Sequence, residues 1–241
     1  MKKGVIFFHS NIQKLYPKRW VDRCIDSTVL QRENDFKIYE INYGGDDYSI
    51  FDGINYHQDR EFHSKFFSNH AEAMNFIIDR AFGDGCDVIF NTNLDDFYSP
   101  DRIEKQMIEI KNGSDLVSSN MCYFEEKNGI DKTLKYINFF DIGSIEKSLI
   151  GGHNVIAHPV VAFSKNFWKN HRYDPSEVPV EDFLLWKRAV SNGVKISIVN
   201  DYLLNYRLHS MQITGDNSEG AAFLRKTPVD PKPQISPTSL K

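Results

Sequence analysis

The chain has 241 residues, of which 41% are hydrophobic and 26% charged, with a formal net charge of −4 at neutral pH. That length can bury a sizeable core as one large domain, and without a basic excess a broad nucleic-acid-binding surface is excluded. Three cysteines (Cys24, Cys86, Cys122) are odd in number and widely spaced. They form neither a disulfide framework nor a metal-like pair, which suits a reduced, cytoplasmic setting. The apolar run of "MKKGVIFFHSN" stops at Phe8, too short for a signal-peptide core. No later stretch is long enough for a membrane-spanning helix, which leaves peripheral contact as the way to meet a membrane.

Short apolar runs alternate with amphipathic stretches, the pattern of an α/β layer architecture. Val5 to Phe8 reads as a strand, and a helix follows from Pro17, with Trp20, Val21, Cys24, Ile25, Thr28 and Val29 at helical spacing. Phe36 to Ile41 is a second strand, ended by the turn signal "NYGGDD". Tyr48 to Ser68 carries no clear period. "HAEAMNFIIDRAF" is a helix stopped by "GDG", Val88 to Phe90 a third strand, and Ser99-Pro100-Asp101 the cap of a helix running to about Lys111. Leu116 to Phe124 and Lys135 to Phe140 read as strands, "HPVVAFS" as another, and "KNFWKNH" as a short helix. Pro179 introduces the helix "VEDFLLWKRAVSN", with Gly193 closing it; "KISIV" and "YLLNYRLH" are the last strands. The Pro-rich, polar end is expected to be disordered over 221–241. The resulting division is one domain over 1–220, with halves of about 1–115 and 116–220.

Four clusters carry candidate chemistry. In "NTNLDDFYSPDRIEKQ", alternation along an extended chain puts Asn93 and Asp95 on one face and Leu94 in the core. At the carboxyl end of a strand that face looks into the ligand crevice, where one or two carboxylates, Asp95 and Asp96, can hold Mg²⁺; as a plain turn and helix start, the same residues need no further role. Glu181 and Asp182 lie in a helix's first turn, where the macrodipole favours negative charge and lowers a carboxylate's pKa. In "NYRLHS" an extended chain points Arg207 and His209 the same way, suited to a diphosphate or a metal that holds one. Ser10 and Asn11 after the first strand, and Asn42 and Tyr43 after the second, occupy default nucleotide positions, although "YGGDD" is no dinucleotide fingerprint.

In their order and spacing, "WVDRCIDSTVLQRENDFKIYEINYGGDD", "HAEAMNFIIDRA", "NTNLDDFYSPDRIEKQ", "NVIAHPVVAFSKNFW", "VEDFLLWKRAV" and "NYRLHSMQIT" resemble the family 2 glycosyltransferases from about Val5 to Thr214. The resemblance implies a GT-A fold, a nucleotide-diphospho-sugar transferase-like α/β domain with a central, mostly parallel mixed sheet flanked by helices. It implies transfer of a sugar from a nucleoside-diphosphate sugar, a UDP-sugar as first choice, to a glycan or glycoconjugate hydroxyl with inversion, assisted by Mn²⁺ or Mg²⁺. On this resemblance Asp182 is the catalytic base with Glu181 beside it. Asp95, Asp96 and His209 are the metal residues, and Ser10, Asn11, Asn42, Tyr43, Asn75, Asn93, Asp95 and Arg207 contact the nucleotide sugar.

Four positions depart from the family pattern. Asn93 replaces the first metal-motif carboxylate, Asn42 and Tyr43 replace an Asp pair, and Met74 replaces an Arg before Asn75. The opposing reading is a nucleotide- or carbohydrate-binding protein that keeps the fold without catalysis. A nucleotidyltransferase would need a glycine-rich basic loop after the first strand, and an aspartyl phosphatase an Asp at that strand's end; "FFHSNIQKLYPKR" has neither.

Overall fold

Lys3–His9 (β1) is buried on both faces along nearly its whole length, the mark of a strand inside a parallel sheet. The computed structural model describes residues 1–54, 56–140 and 144–212. Strand β1 pairs in parallel with Lys37–Asn42 (β2) on one side and Val88–Asn91 (β4) on the other, and Arg60–Ser64 (β3) extends the parallel set beyond β2. Past β4 the sheet turns mixed. Ala162–Ser164 (β8) is antiparallel to β4 and to Leu116–Lys127 (β6). Strand β6 runs parallel to Ile196–Arg207 (β9), and the two-residue Phe97–Tyr98 (β5) pairs antiparallel with β9. Ile130–Ile137 (β7) folds back on β6. Among the described residues this is one continuous nine-stranded sheet, eight strands in the order β3-β2-β1-β4-β8-β6-β9-β5 and the ninth, β7, paired to β6 off that path; its strands come from both halves of the division read from the sequence.

Helices cover it. Short Ile12–Leu15 (α1) precedes Lys18–Val29 (α2), which buries the six residues expected at helical spacing. In His70–Gly83 (α3) the Asn69 side chain accepts the Glu72 N–H at 3.1 Å as N-cap, and Gly85 at φ 89° ends the helix. Arg102–Lys111 (α4), Ile145–Ile150 (α5), Lys165–Asn170 (α6) and Glu181–Ser191 (α7) complete the set. No helix among the described residues is long and apolar enough to cross a membrane. The β1 backbone leaves no room at Gly4: an added Cβ would meet Ile89 Cδ1 at 2.8 Å and the Tyr39 ring at 3.2 Å. Gly4→Ala is therefore expected to lower stability by about 1–3 kcal/mol through overpacking, measured by denaturant unfolding.

Several expectations need correction. The segment without a period contains β3, an edge strand with partly exposed side chains. The strand expected over Lys135–Phe140 is β7, five residues earlier, because Asn128 (φ 53°) and Gly129 (φ 76°) close a two-residue hairpin. "HPVVAFS" opens with a 3-10 turn, His158–Val160, before the short β8, and the last two expected strands are one, β9. Helix α4 starts at its expected place, but Asp101 makes no side-chain cap bond; it pairs with Lys105 at 2.6 Å instead. The tail over 221–241 lies outside the described residues.

Candidate active site

Strand β4 ends inside the molecule. The buried Arg102 at the start of α4 donates to the Asn91 carbonyl at 2.6 Å, and Thr92 Oγ1 donates to the Ile6 carbonyl at 2.6 Å. Beyond this anchor the chain does not stay extended. Asp96 N–H donates to the Asn93 carbonyl at 3.2 Å, so residues 93–96 form a turn, and the expected common face of Asn93 and Asp95 gives way to two environments. Leu94 is buried as expected. The buried Asn93 Oδ1 has no hydrogen-bond partner, while its main chain is held by the Tyr98 hydroxyl, which accepts from its N–H at 2.8 Å.

Asp95 sits at the protein surface's edge, 9% exposed, and its Oδ2 lies 3.0 Å from His209 Nε2. His209 Nδ1 accepts the Met211 N–H at 3.2 Å, which leaves Nε2 as the donor in the neutral ring. Tyr16 and Trp20 flank the imidazole at ring distances of 5.4 and 5.0 Å. Burial and the neighbouring Asp95 carboxylate push the Tyr16 hydroxyl pKa up, so it stays a donor towards Asp95.

Asp96 and Arg207 are not where the sequence reading put them. Asp96 is 1% exposed and its Oδ1 accepts the Arg207 main-chain N–H at 2.9 Å. Burial, then the adjacent Asp95 charge, pushes its pKa well up, which makes it a poor cation ligand. Arg207 is also 1% exposed; its Nε donates to the Asp95 carbonyl at 2.8 Å and its Nη1 to Glu126 at 3.1 Å. Committed to these partners, its guanidinium braces the Asp95 turn from below instead of facing a diphosphate. The sequence could not reveal this, because it depends on Glu126, 81 positions away.

Around α7 the Glu181–Asp182 pair splits by burial. Glu181, 5% exposed, receives His70 Nε2 at 2.6 Å from the start of α3. Burial alone would raise its pKa, but the His70 hydrogen bond and charge outweigh it and hold it low. His158, whose main-chain carbonyl accepts from Asn91 Nδ2 at 3.0 Å, has its ring close enough to Glu181 to feel its charge; burial brings the His158 pKa down to about 4. Asp182 is partly exposed, and its Oδ1 accepts the Phe183 N–H at 2.6 Å. Its pKa is raised to about 7, first by burial and then by the Glu181 charge, against the downward pull of the Phe183 and Asn154 hydrogen bonds. The lowering expected from the helix start is thus reversed, because desolvation and a like charge outweigh the dipole.

The ends of β1 and β2 abut. A Cβ on Gly44 would come within 2.9 Å of Ser10 Oγ, and Asn11, exposed at φ 52°, donates to Ser10 at 3.2 Å. Tyr43 is half-buried at this corner, its N–H donating to the His9 carbonyl at 2.8 Å. Asn42 is fully buried and folds the loop: its amide donates to Asp46 at 2.6 Å and to the Tyr48 carbonyl at 3.0 Å, and accepts from Gly44 N–H at 3.0 Å. Asn75 likewise clamps Tyr173, donating to its carbonyl at 2.9 Å and accepting its N–H at 3.2 Å. Ser10, Asn11 and Tyr43 therefore stay at the open edge, whereas Asn42 and Asn75 have their amides engaged within the fold.

The sequence profile of "Glycosyl transferase family 2" matches residues 16–169, more than half of the chain. The chain belongs to glycosyl transferase family 2. It is 27% identical over 197 residues to the Escherichia coli O-antigen biosynthesis glycosyltransferase WbnJ, covering 80% of this chain and 76% of that one. It is 29% identical over 116 residues to the uncharacterized glycosyltransferase MJ1057 of Methanocaldococcus jannaschii, 47% of this chain and 39% of the relative. Among solved structures, S. aureus TarS 1-349 superposes with a TM-score of 0.62 at 14% identity, covering 86% of this chain and 60% of that chain. The mannosyltransferase PcManGT from Pyrobaculum calidifontis, in complex with GDP-Man and Mn2+, gives 0.60 at 10% identity, covering 85% and 56%. The chain thus spans less than two thirds of these solved chains, and the likeness establishes the GT-A fold alone.

In this family 2 chain the donor set at Asp95 and His209 fits a divalent ion. As it stands the pair shares a hydrogen bond through Nε2–H at 3.0 Å; carboxylate and imidazole are ligand types such an ion takes, and an ion between them would replace that proton, the ring then carrying its proton on Nδ1 in place of the Met211 N–H contact. Among the described residues no three His, Cys, Asp or Glu side chains converge on one point. An ion would thus take two protein ligands, with substrate phosphates and water completing its shell.

Proposed function

We propose that this chain transfers a glycosyl unit from a nucleoside-diphosphate sugar to a hydroxyl of a glycan or glycoconjugate, with inversion at the anomeric carbon. The observation that carries the reading is Asp182: a partly exposed carboxyl with a pKa of about 7 at the start of α7, close to the operating pH where a general base works best. Its oxygen takes the proton as the acceptor hydroxyl bonds to the anomeric carbon and the bond to the diphosphate breaks. Glu181, locked to His70, holds the helix start and keeps Asp182 basic. Asp95 and His209 would hold Mn²⁺ or Mg²⁺, which supplies positive charge to the departing diphosphate when bound. Ser10, Asn11, Tyr43 and Asn93 line the same carboxyl-terminal strand ends and form the donor side, for which UDP-sugars are the first choice. Three buried, unbridged cysteines support a cytoplasmic setting.

A thermal-shift panel of UDP-, GDP- and dTDP-sugars with Mn²⁺ tests the donor. At a hundredfold excess over Kd the right donor stabilises by about 2.7 kcal/mol, which raises Tm by about 5–10 °C in a chain of this size. The stabilising donor is expected to be hydrolysed slowly without acceptor. Stabilisation with no hydrolysis and no transfer to any offered glycan would instead make this a binding protein.

A further inference from the structure

Glu126, near the end of β6, gathers donors from two other elements. Its Oε1 receives Arg19 Nε at 2.8 Å and Nη2 at 2.5 Å, and its Oε2 receives Trp20 Nε1 at 2.8 Å and Arg207 Nη1 at 3.1 Å. The carboxylate is 8% exposed, and the Arg207 guanidinium lies between the Trp20 ring at 4.4 Å and the Phe124 ring at 4.5 Å. From that seat the Arg207 Nε donates to the Asp95 carbonyl at 2.8 Å, while the Arg207 main-chain N–H donates to the Asp96 carboxylate at 2.9 Å. An unbroken run of contacts therefore leads from α2 through Glu126 and Arg207 to the residue that faces His209. Arg207 keeps one buried nitrogen, Nη2, without a partner; Glu126 is the carboxylate in salt-bridge contact with its guanidinium, at 3.1 Å, and the first of the acidic groups that act on it, ahead of Asp131 and Asp96. Removing a charge partner inside a protein leaves the other charge uncompensated and displaces it.

We propose that Glu126 is a positioning residue for the candidate ion site: through Arg207 it fixes the Asp95 carboxylate against His209, and it ties α2 to that alignment. The inference rests on the metal-assisted reading above. It assigns Glu126 no contact with substrate and no part in proton transfer. It works as the outer partners of metal ligands generally do, setting the orientation of a ligand it does not replace.

The test is a titration of the full chain with Mn²⁺ in the presence of UDP or GDP, with free Mn²⁺ followed by electron paramagnetic resonance. Glu126→Gln puts an amide N–H among donors and is expected to raise the Mn²⁺ dissociation constant about 10–100-fold. Arg19→Ala removes a side chain that is 62% exposed, leaves the fold intact, and is expected to shift the constant in the same direction by a smaller factor. Ile78→Val, a buried trim in α3, lowers Tm and is expected to leave the constant unchanged. A folded Glu126→Gln protein with wild-type Mn²⁺ affinity overturns the positioning role and leaves the metal-assisted reading standing. If Glu126→Gln does not fold, unaltered affinity in Arg19→Ala overturns it. Equal weakening by Ile78→Val would reduce the effect to general loosening and overturns it too. A wild-type chain that takes up no Mn²⁺ with either nucleotide overturns both ideas at once.

Discussion

Exchanging Asp182 for asparagine is expected to lower kcat by about 10²–10⁴-fold, the usual reach of a general base, while donor affinity with Mn²⁺ is retained. The amide preserves the shape of the side chain and can still accept from Phe183 N–H, but it cannot take the acceptor's proton. In the wild-type protein the working form is the carboxylate. With the pKa at about 7, kcat/KM should climb close to tenfold per pH unit below that value and level off above it. Stability should run the other way. The folded pKa is raised from 3.8 to about 7, so the native state holds the proton more tightly than the unfolded chain does. The corresponding stabilisation is present below pH 4 and is lost as pH rises towards 7. Asp182→Asn removes that dependence and is expected to gain about 1 kcal/mol at pH 8, a Tm rise of about 2–4 °C. Near wild-type turnover in this variant, or a pH–rate profile flat from 5 to 8, would sink the base assignment.

Asp95→Ala is expected to fail differently, weakening Mn²⁺-dependent donor binding by more than about 100-fold, beyond what outer partners of a metal site contribute. Donor KM and metal requirement should change together, since one carboxylate serves both. His209 loses the anion 3.0 Å from its Nε2 and cannot supply charge to an ion by itself. Isothermal titration with Mn²⁺ and the donor from the thermal-shift panel separates the two variants: Asp182→Asn keeps the binding heat and loses turnover, Asp95→Ala loses the heat. Unchanged metal-dependent binding in Asp95→Ala would remove the ion from this edge.

Local patterns made much of the scaffold readable. Buried strands β1, β2 and β4 announce themselves as apolar runs, and α2, α3 and α7 as amphipathic stretches with clear ends. Segments that draw their stability from neighbours were opaque. Strand β3 offers "REFHS", half-exposed at a sheet edge, and β5 is two residues long because β9 alone defines it. The β6–β7 hairpin did carry a signal, the Asn128-Gly129 pair, which outranks the apolar run that suggested a later strand. At the candidate site, residue types and the family resemblance singled out Asp95, His209 and Asp182 as candidates, and their exposure in the fold could not be read from either. Asp96 and Arg207 have the same chemistry on paper as ligand-facing groups, but both are buried, Arg207 against Glu126, Trp20 and Phe124 and Asp96 under the Arg207 main-chain N–H. The near-neutral pKa of Asp182 was equally hidden, since it comes from desolvation and from how deeply Glu181 is set.

The pairing of β5 with β9, Phe97 opposite Asn205 and Tyr98 opposite Leu204, has a bearing on how this protein can diverge. Asp95 lies two residues before one rung and His209 four residues after its partner, so one inserted or deleted residue in either stretch would shift one member of the pair relative to the ladder that sets their 3.0 Å separation. Length changes are thereby barred from 95–98 and 205–209. The hairpin tip at 128–129 is under no such restraint and can grow or shrink.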